Sequence, residues 1–380
     1  MSKGYSRKGF FHTLFVGAAS MLALGFTESA RKINKAIGKK GESNSDAILK
    51  IKPLGFQWET SDPFLFCVHH EDHYPAGNEN MGPAASLKGR DIGQDFLLKD
   101  GWRMYHGSVV PGFPRHPHRG FETITMVHKG IVDHTDSLGA SGRYGGGDVQ
   151  WMTAGKGMQH AEMFPLINKN GSNELELFQI WLNLPSAKKF AEPSYKMLWR
   201  ENIPTYRTKD SKGRAIEVNI SAGNIGKFKP PTPPPDSWAN DVKNSVAIWT
   251  IDMDANAEWE IPAAGTGVNR TLYFFKGSTF EINGTDIPAY HAAELKADQK
   301  LSLKNGSTKS SLLMLQGKPI GEPVVQHGPF VMNTKEEINQ AFKDFQKTQF
   351  GGWPMSTIDP VHPRNKGRFA THSDGREILR

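Results

Sequence analysis

Short runs rich in β-branched residues recur along most of the chain and are separated by glycine-containing turns. The runs ETITMV (122–127) and ELELFQIWLNL (174–184) are the longest, and three shorter ones follow at 272–275, 279–282 and 311–315. The 39 glycines and 24 prolines among 380 residues agree with such a turn-rich chain. Many short strands joined by frequent turns are typical of β-sandwiches and barrels, so we predict an all-β fold.

One helix and one connector interrupt this pattern. Asn333 and Thr334 precede two glutamates and a run of apolar residues with helical spacing, which predicts a capped helix continuing to about Lys347. The stretch PPTPPP at 230–235 cannot form a central strand or a helix, because proline lacks the amide donor and fixes its own φ angle. It predicts a connector between an N-terminal and a C-terminal half.

The net charge of +7 is confined to the N-terminus. Residues 1–52 contain ten of the 46 basic side chains and three of the 39 acidic ones, so the remaining 328 residues are neutral overall. A nucleic-acid-binding domain would carry its basic charge on the folded body. We therefore expect no nucleic-acid partner.

The N-terminus has the pattern of an export signal. A basic start precedes thirteen mostly apolar residues, 14–26, which is shorter than the roughly 20 residues of a membrane span and typical of a signal peptide. The run SRKGFF at 6–11 resembles a twin-arginine motif in which Lys8 replaces the second arginine. We predict an exported, periplasmic protein with a signal at 1–30, a polar linker at 31–48 and no stable membrane span. A cytoplasmic protein with a flexible N-terminal arm is the alternative.

Two histidines, His116 and His118, are separated by Pro117 and are predicted to lie on one face of an extended strand. This pair alone is also compatible with two solvated histidines. A second pair with the same spacing, His160 and Glu162, makes a metal site the better interpretation. The residues between the two pairs contain turns and strands, so the pairs can lie on neighbouring strands.

Three imidazoles and one carboxylate form a borderline-to-hard ligand set. Such a set suits Fe(II), Mn(II), Ni(II), Cu(II) or Zn(II) better than Cu(I). Four protein ligands on an octahedral ion leave about two positions open, whereas a structural zinc site is closed. The pattern therefore predicts one divalent metal ion that can bind a further ligand.

Several segments of the chain resemble the pirin family of the cupin superfamily. These are HPHRGFET (116–123), GDVQWMTAGKGMQHAEM (147–163), QIWLNLP (179–185) and PIGEPVVQHGPFVMNTKEEI (319–338). The resemblance covers about residues 50–348 and implies a bicupin, with two tandem cupin (jelly-roll) barrels, a short C-terminal helix and one metal in the N-terminal barrel. Carried over residue by residue, the metal ligands of the family fall on His116, His118, His160 and Glu162.

The resemblance and the connector together give the predicted domain limits. The N-terminal metal-binding cupin spans 49–229, the connector 230–236 and the C-terminal cupin 237–333, with the helix and tail at 334–380. The cupin glutamate aligns with Glu122, which the pirin resemblance leaves outside the metal ligands. Glu122 and Arg119 are candidates for orienting the ligands or bracing their strand.

The predicted C-terminal cupin contains no histidine pair with this spacing. His291 and His327 stand alone in the C-terminal half, so we expect no second metal there. The run CVHHEDH at 67–73 has the composition of a zinc site, but its polar surroundings predict a loop, either a surface turn or a rim that contacts substrate. Cys67 is the one cysteine, which excludes an internal disulfide.

Some pirins cleave flavonols such as quercetin with O2. The resemblance therefore implies a monomeric, quercetin 2,3-dioxygenase-like oxidoreductase that acts on a phenolic or enol substrate. Fe(II) is the favoured metal, and Glu162 is the candidate base for the substrate hydroxyl. The alternative is a non-enzymatic, redox-sensing metal protein that acts through a protein partner.

Overall fold

The computed structural model describes residues 45–380, and strands dominate this range. The predicted export signal and residues 31–44 of the predicted linker lie outside the described residues. Between residues 45 and 380, no helix combines the length and the apolar character that crossing a membrane requires.

The strands are short, as the sequence predicts. In chain order, the first thirteen are β1 (Ile48–Pro53), β2 (Gln57–Trp58), β3 (Phe64–Tyr74), β4 (Gly112–His118), β5 (Phe121–Lys129), β6 (Ile131–Asp136), β7 (Ser141–Gly145), β8 (Val149–Thr153), β9 (Met158–Met163), β10 (Asn173–Asn183), β11 (Ser194–Leu198), β12 (Thr205–Lys209) and β13 (Ala215–Ala222). The later strands and the α-helix are β14 (Ala247–Met253), β15 (Glu258–Ile261), β16 (Asn269–Lys276), β17 (Thr279–Ile282), β18 (Thr285–Pro288), β19 (His291–Lys296), β20 (Leu301–Asn305), β21 (Ser310–Gly317), β22 (Val325–His327), β23 (Phe330–Met332), α1 (Lys335–Thr348), β24 (Phe369–Thr371) and β25 (Glu377–Leu379).

Two six-stranded antiparallel sheets form the N-terminal barrel. Their strand orders are β11-β8-β5-β10-β3-β2 and β25-β24-β7-β6-β9-β4. The sheets face each other, because Glu162 on β9 accepts hydrogen bonds from Thr125 on β5 and Gln179 on β10. Along β5, alternate side chains therefore point into the barrel and away from it.

The C-terminal barrel consists of a seven-stranded sheet, β1-β19-β16-β21-β14-β13-β12, and a four-stranded sheet, β15-β20-β17-β18. Its interior is apolar: Ile251 and Leu272 of the larger sheet belong to the same buried cluster as Phe280 and Leu303 of the smaller one. Fully burying one such side chain contributes about 1.5–3 kcal/mol. The two barrels confirm the predicted all-β bicupin architecture.

A second apolar core joins the barrels. Trp151 and Ile180, on the outward face of the N-terminal barrel, belong to one buried cluster with Ile248 and Leu313 of the seven-stranded sheet. Ile124, on the outward face of β5, belongs to this core, whereas the inward face of that strand carries threonines. Residues 45–380 consequently form one compact unit.

The strand pairing differs from the predicted domain limits. β1 pairs with β19, and β13 pairs with β14, so β1, β12 and β13 belong to the C-terminal sheet although they lie within the range assigned to the N-terminal cupin. The proline-rich stretch 230–236 thus joins two strands of one sheet, and the chain crosses between barrels at 199–204. Proline composition shows where no strand can form, but it does not show which sheet the flanking strands join.

The predicted helix is present and is capped as its sequence indicates. Thr334 is the N-cap, and it forms a reciprocal capping box with Glu337. Ile338, Ala341 and Phe345 make the buried face. The Arg119 guanidinium reaches this helix by donating a hydrogen bond to Asp344 at 2.7 Å, which connects the helix to the end of β4.

The C-terminal tail, to which the sequence assigned no structure, runs across the outer face of the sheet that contains β4 and β9. Near the β4 edge, the carbonyl of Ile358 accepts a hydrogen bond from the Arg115 amide, and at the opposite edge β24 pairs with β7. Between these points, Arg143 forms a buried ion pair with Asp133 and donates to the carbonyls of tail residues 362, 363 and 366. The tail therefore covers a face that would otherwise be exposed.

Candidate metal centre

The two predicted ligand strands are neighbours. β4 and β9 are antiparallel, with His116 opposite His160 and Phe113 opposite Glu162. His118 lies two positions beyond His116, so both imidazoles point into the barrel, as the i, i+2 spacing requires. A register shift between Phe113 and His116 brings the paired residues into this alignment.

Three histidines converge. His116, His118 and His160 each present one ring nitrogen, and these atoms all lie within 4.8 Å of one another. The ring centroids are 4.4 Å apart for His116 and His160, 4.8 Å for His116 and His118, and 4.9 Å for His118 and His160. Such spacing places the three nitrogens around a single point, because metal–imidazole bonds are about 2.0–2.1 Å long.

Backbone carbonyls orient two of the three rings. Nδ1 of His116 donates to the carbonyl of Pro114 at 2.8 Å, which fixes the tautomer and leaves Nε2 with its lone pair. Nδ1 of His118 faces the carbonyl of Pro329 at 3.4 Å, on the hairpin between β22 and β23. The C-terminal half therefore contributes to the orientation of a histidine in the N-terminal barrel.

Burial keeps these imidazoles neutral. It lowers the pKa of His116 to about 4, and it lowers the pKa values of His118 and His160 well below the ordinary value of 6.5. Neither ring nitrogen of His160 has a hydrogen-bond partner among the described residues, although the side chain is fully buried. A divalent metal ion requires neutral imidazoles that each offer one ring nitrogen, so this group of two buried histidines and one half-buried histidine fits one.

Glu162 lies beside the histidine group. Its Oε2 is 3.9 Å from Nε2 of His160, but its oxygens are not among the mutually close ligand atoms. Thr125 Oγ1 donates to Oε1 at 2.8 Å, Gln179 Nε2 donates to Oε2 at 2.8 Å, and the Tyr144 hydroxyl lies 3.4 Å from Oε1. The carboxylate is thus held at the edge of the cluster by neutral side chains.

One pair near the site was missed by the sequence analysis. His134 and Asp136 on β6 lie opposite Glu162 and His160, and Nε2 of His134 is 3.3 Å from the Asp136 carboxylate. The His134 ring stacks on Tyr195 with centroids 4.9 Å apart. The same i, i+2 spacing within IVDHTD could have revealed this pair, which is fully buried.

Glu122 braces the barrel rather than contacting the histidines. Its Oε1 accepts from Thr153 Oγ1 at 2.7 Å and from Trp151 Nε1 at 3.2 Å, and its Oε2 accepts from Ser237 Oγ at 2.6 Å. Burial raises the pKa of Glu122 to about 7. These bonds tie β5 to β8 and to the segment that follows the proline-rich stretch.

The run at 67–73 lies on β3, so the predicted loop is wrong. Cys67 is buried in the core between the barrels. On the other face, the Tyr105 hydroxyl donates to Asp72 at 2.6 Å and lies 2.7 Å from Nδ1 of His70. The run is part of an eleven-residue strand. Successive side chains of a strand point to opposite faces, so the polar side chains of the run contact different partners. The polar surroundings of the run predicted a loop, whereas its polar side chains find their partners only in the tertiary structure.

The predicted lone histidines occupy separate places. His291 on β19 hydrogen-bonds to the carbonyl of Ala289, and His327 on β22 packs against Phe342. Within the described range 45–380, the group of three or more potential metal-binding side chains is the histidine cluster in the N-terminal barrel.

Two tandem β-barrels with a histidine cluster inside the first define the class of bicupin proteins. Residues 57–182 match the family model described as Pirin, and residues 248–351 match the one described as Pirin C-terminal cupin domain. Human Pirin is 36% identical over 263 residues, which cover 67% of this chain and 82% of that protein. The chain belongs to the pirin family.

Two further relatives bear names that refer to an activity. A Pseudomonas aeruginosa protein named "Putative quercetin 2,3-dioxygenase PA2418" is 35% identical over 239 residues, covering 63% of this chain and 79% of that protein. The crystal structure of quercetin 2,3-dioxygenase from Acinetobacter baumannii superimposes with a TM-score of 0.63 at 25% identity, covering 80% of this chain and 98% of that one.

Proposed function

We propose that this chain is a metal-dependent dioxygenase that cleaves a quercetin-type flavonol, or a related phenolic or enol, with O2. The observation that carries the proposal is the convergence of three neutral imidazoles inside a barrel, two of them buried and one half-buried. Two relatives whose names refer to quercetin 2,3-dioxygenase support the same reaction class.

We assign the metal to His116, His118, His160 and Glu162, with Fe(II) as the favoured ion. Three imidazoles and a carboxylate suit Fe(II) and leave positions for exogenous ligands, although Mn, Ni, Cu and Zn suit the same donors. Glu162 needs only a small movement of its carboxylate to join the histidines, because Oε2 already lies 3.9 Å from Nε2 of His160.

The bound ion would supply Lewis-acid stabilisation of the deprotonated substrate and a place for O2 beside it. Glu162 would bind the ion before the substrate enters, and would take the proton of the substrate hydroxyl at Oε2 after its carboxylate has left the ion. Burial raises the pKa of the Glu162 carboxyl. Thr125 and Gln179 hold the carboxylate in position during that transfer.

The test is anaerobic addition of quercetin to iron-loaded protein, followed by air, with flavonol absorbance, O2 uptake and metal content measured together. We expect loss of flavonol and of O2 in equal amounts. The His118→Ala variant should lose both metal and turnover, whereas His291→Ala, a matched change in the C-terminal barrel, should retain both.

The two main contrary outcomes have different meanings. A full metal complement without turnover of any flavonol, related phenolic or enol would refute the dioxygenase and favour the redox-sensing metal protein. Full metal occupancy in His118→Ala would refute the ligand assignment.

A further inference from the structure

The sheet opposite the proposed ligands carries a row of polar side chains across three neighbouring strands. Gln150 on β8 pairs with Thr125 on β5, and Thr125 pairs with Gln179 on β10. Cross-strand partners lie on the same face of a sheet, so all three point into the barrel. Thr125 and Gln179 both donate to Glu162, which places this row directly opposite the metal centre.

Gln150 differs from the other members of the row. Its side chain is fully buried, yet neither its amide oxygen nor its amide nitrogen has a hydrogen-bond partner among residues 45–380. Gln179 is engaged with Glu162, and Gln159, on the outer face of β9, donates to two carbonyls of the tail. The fold therefore satisfies the neighbouring glutamines and leaves Gln150 without a protein partner.

A second unpaired group lies diagonally beside Gln150. Thr123 is fully buried on the same face of β5, and its hydroxyl also has no partner in the described part of the chain. Thr123 pairs with Trp181 on β10, and the Trp181 ring lies 5.6 Å from that of His118. The two unpaired groups thus flank the side chains that contact the proposed ligands Glu162 and His118.

Unpaired polar atoms of this kind are rare in protein interiors, because burying them without a hydrogen bond costs free energy. An amide offers one acceptor and two hydrogens, and a threonine hydroxyl adds a further donor and acceptor. Together they match the hydroxyl of a small molecule. A fully apolar substrate would leave them unsatisfied, so this wall favours a polar one.

We propose that Gln150, assisted by Thr123, is a specificity-determining residue that hydrogen-bonds a substrate hydroxyl other than the one at the metal. This inference rests on the proposed flavonol dioxygenase function and adds the substrate class, a polyhydroxylated flavonol. Neither side chain belongs to the proposed ligand set, so they would select the substrate without holding the ion.

The experiment compares wild type and Gln150→Leu on four flavonols that share the 3-hydroxyl but carry different sets of other hydroxyls: quercetin, kaempferol, fisetin and 3-hydroxyflavone, which has no hydroxyl besides the shared one. We expect kcat/KM of the variant to fall about tenfold for each substrate with the recognised hydroxyl, and less than about twofold for the analogue lacking it. Anaerobic binding of the same compounds to the metal-loaded proteins should show the same pattern without turnover: the variant should bind more weakly only those flavonols that carry the recognised hydroxyl.

Controls separate recognition from folding. The metal content of Gln150→Leu should match that of wild type, and its thermal unfolding temperature should be no lower, because leucine removes an unpaired buried amide. Gln299→Leu, in a turn of the C-terminal barrel, should leave kcat/KM unchanged for all four flavonols. If Gln150→Leu fails to fold, Thr123→Val serves as the second variant with the same expected selectivity change.

The possible failures are distinguishable. Wild type could cleave flavonols while Gln150→Leu lowers kcat/KM equally for all four or for none. The Gln150 amide would then contact only water or have a structural role, which refutes this inference but leaves the proposed function standing. If wild type neither binds nor cleaves any of them, the proposed function and this inference are both refuted.

Discussion

Gln179 donates a hydrogen bond from Nε2 to Oε2 of Glu162 at 2.8 Å, from the sheet that faces the histidine cluster. Oε2 is also the oxygen that lies 3.9 Å from Nε2 of His160. The Gln179 amide therefore positions Oε2, the oxygen through which Glu162 would bind a metal. The position of this proposed ligand thus depends on the sheet on the opposite side of the barrel.

The first prediction concerns this bond. Gln179→Leu should weaken metal affinity about 10- to 100-fold while the barrel stays folded, because a side chain that orients a ligand contributes to metal binding without holding the ion. Competition with a chelator of known affinity measures the change. The control Gln57→Leu, on the solvent-facing edge strand β2, should leave the affinity unchanged, and equal affinities for Gln179→Leu and wild type would contradict the role of this bond.

The second prediction concerns pH and Glu122. Burial raises the pKa of this carboxyl from 4.5 to about 7, so the folded state retains a proton that the unfolded chain releases. The stability of wild type should therefore fall, relative to Glu122→Gln, as pH rises from about 4.5 to 7, by at most about 3 kcal/mol. Urea unfolding of both proteins across this range measures the difference.

The glutamine in Glu122→Gln can still accept from Thr153 and Trp151 and can donate to Ser237, so the variant should remain folded. Below pH 4.5 the difference in unfolding free energy should be independent of pH, because both states of wild type are then protonated. A difference that stays constant from pH 4.5 to 7 would show that Glu122 is ionised in the folded protein.

The third prediction concerns the buried pair beneath the tail. Arg143→Leu should lower the free energy of unfolding by about 3–5 kcal/mol, because it leaves the Asp133 carboxylate buried without its counter-charge. The double variant with Asp133→Leu should recover only part of this loss, since the tail carbonyls also lose their donor. Arg207→Leu removes an exposed ion pair and should cost no more than about 1 kcal/mol.

The fourth prediction concerns export, which we propose from the sequence of residues 1–30. A reporter fused after residue 48 should reach the periplasm. Arg7→Lys should abolish this transport, because it removes the remaining arginine of the twin-arginine-like motif without changing charge, whereas Lys3→Arg should not. Cell fractionation measures the distribution, and a wild-type fusion that stays in the cytoplasm would refute the signal.

Local patterns in the sequence predicted most individual elements. The run at 122–127 lies within β5, and all but the last residue of the run at 174–184 lies within β10. The helix begins after Thr334, as its capping residues indicate. These features depend on neighbours within a few residues, so the sequence predicts them without knowledge of the tertiary structure. The spacing of His116 and His118 likewise placed both rings on one face of a strand.

Contacts between residues far apart in the sequence could not be predicted from local patterns. The polar surroundings of the run at 67–73 predicted a loop, but the run belongs to a strand. Asp72 and His70 both hydrogen-bond to Tyr105, which lies more than thirty positions away in the sequence. The pairing of β1 and β13 with the C-terminal sheet also depends on register between distant strands.

The sequence by itself determined the all-β character, the capped helix and the two histidine-containing pairs, because these follow from side-chain alternation and local hydrogen bonding. The tertiary structure alone decided that three imidazoles meet at one point, that Glu162 is held by Thr125 and Gln179, and that the tail covers the outer face of their sheet. Those relationships join strands far apart in the chain, and only the packing of the two sheets fixes their distances.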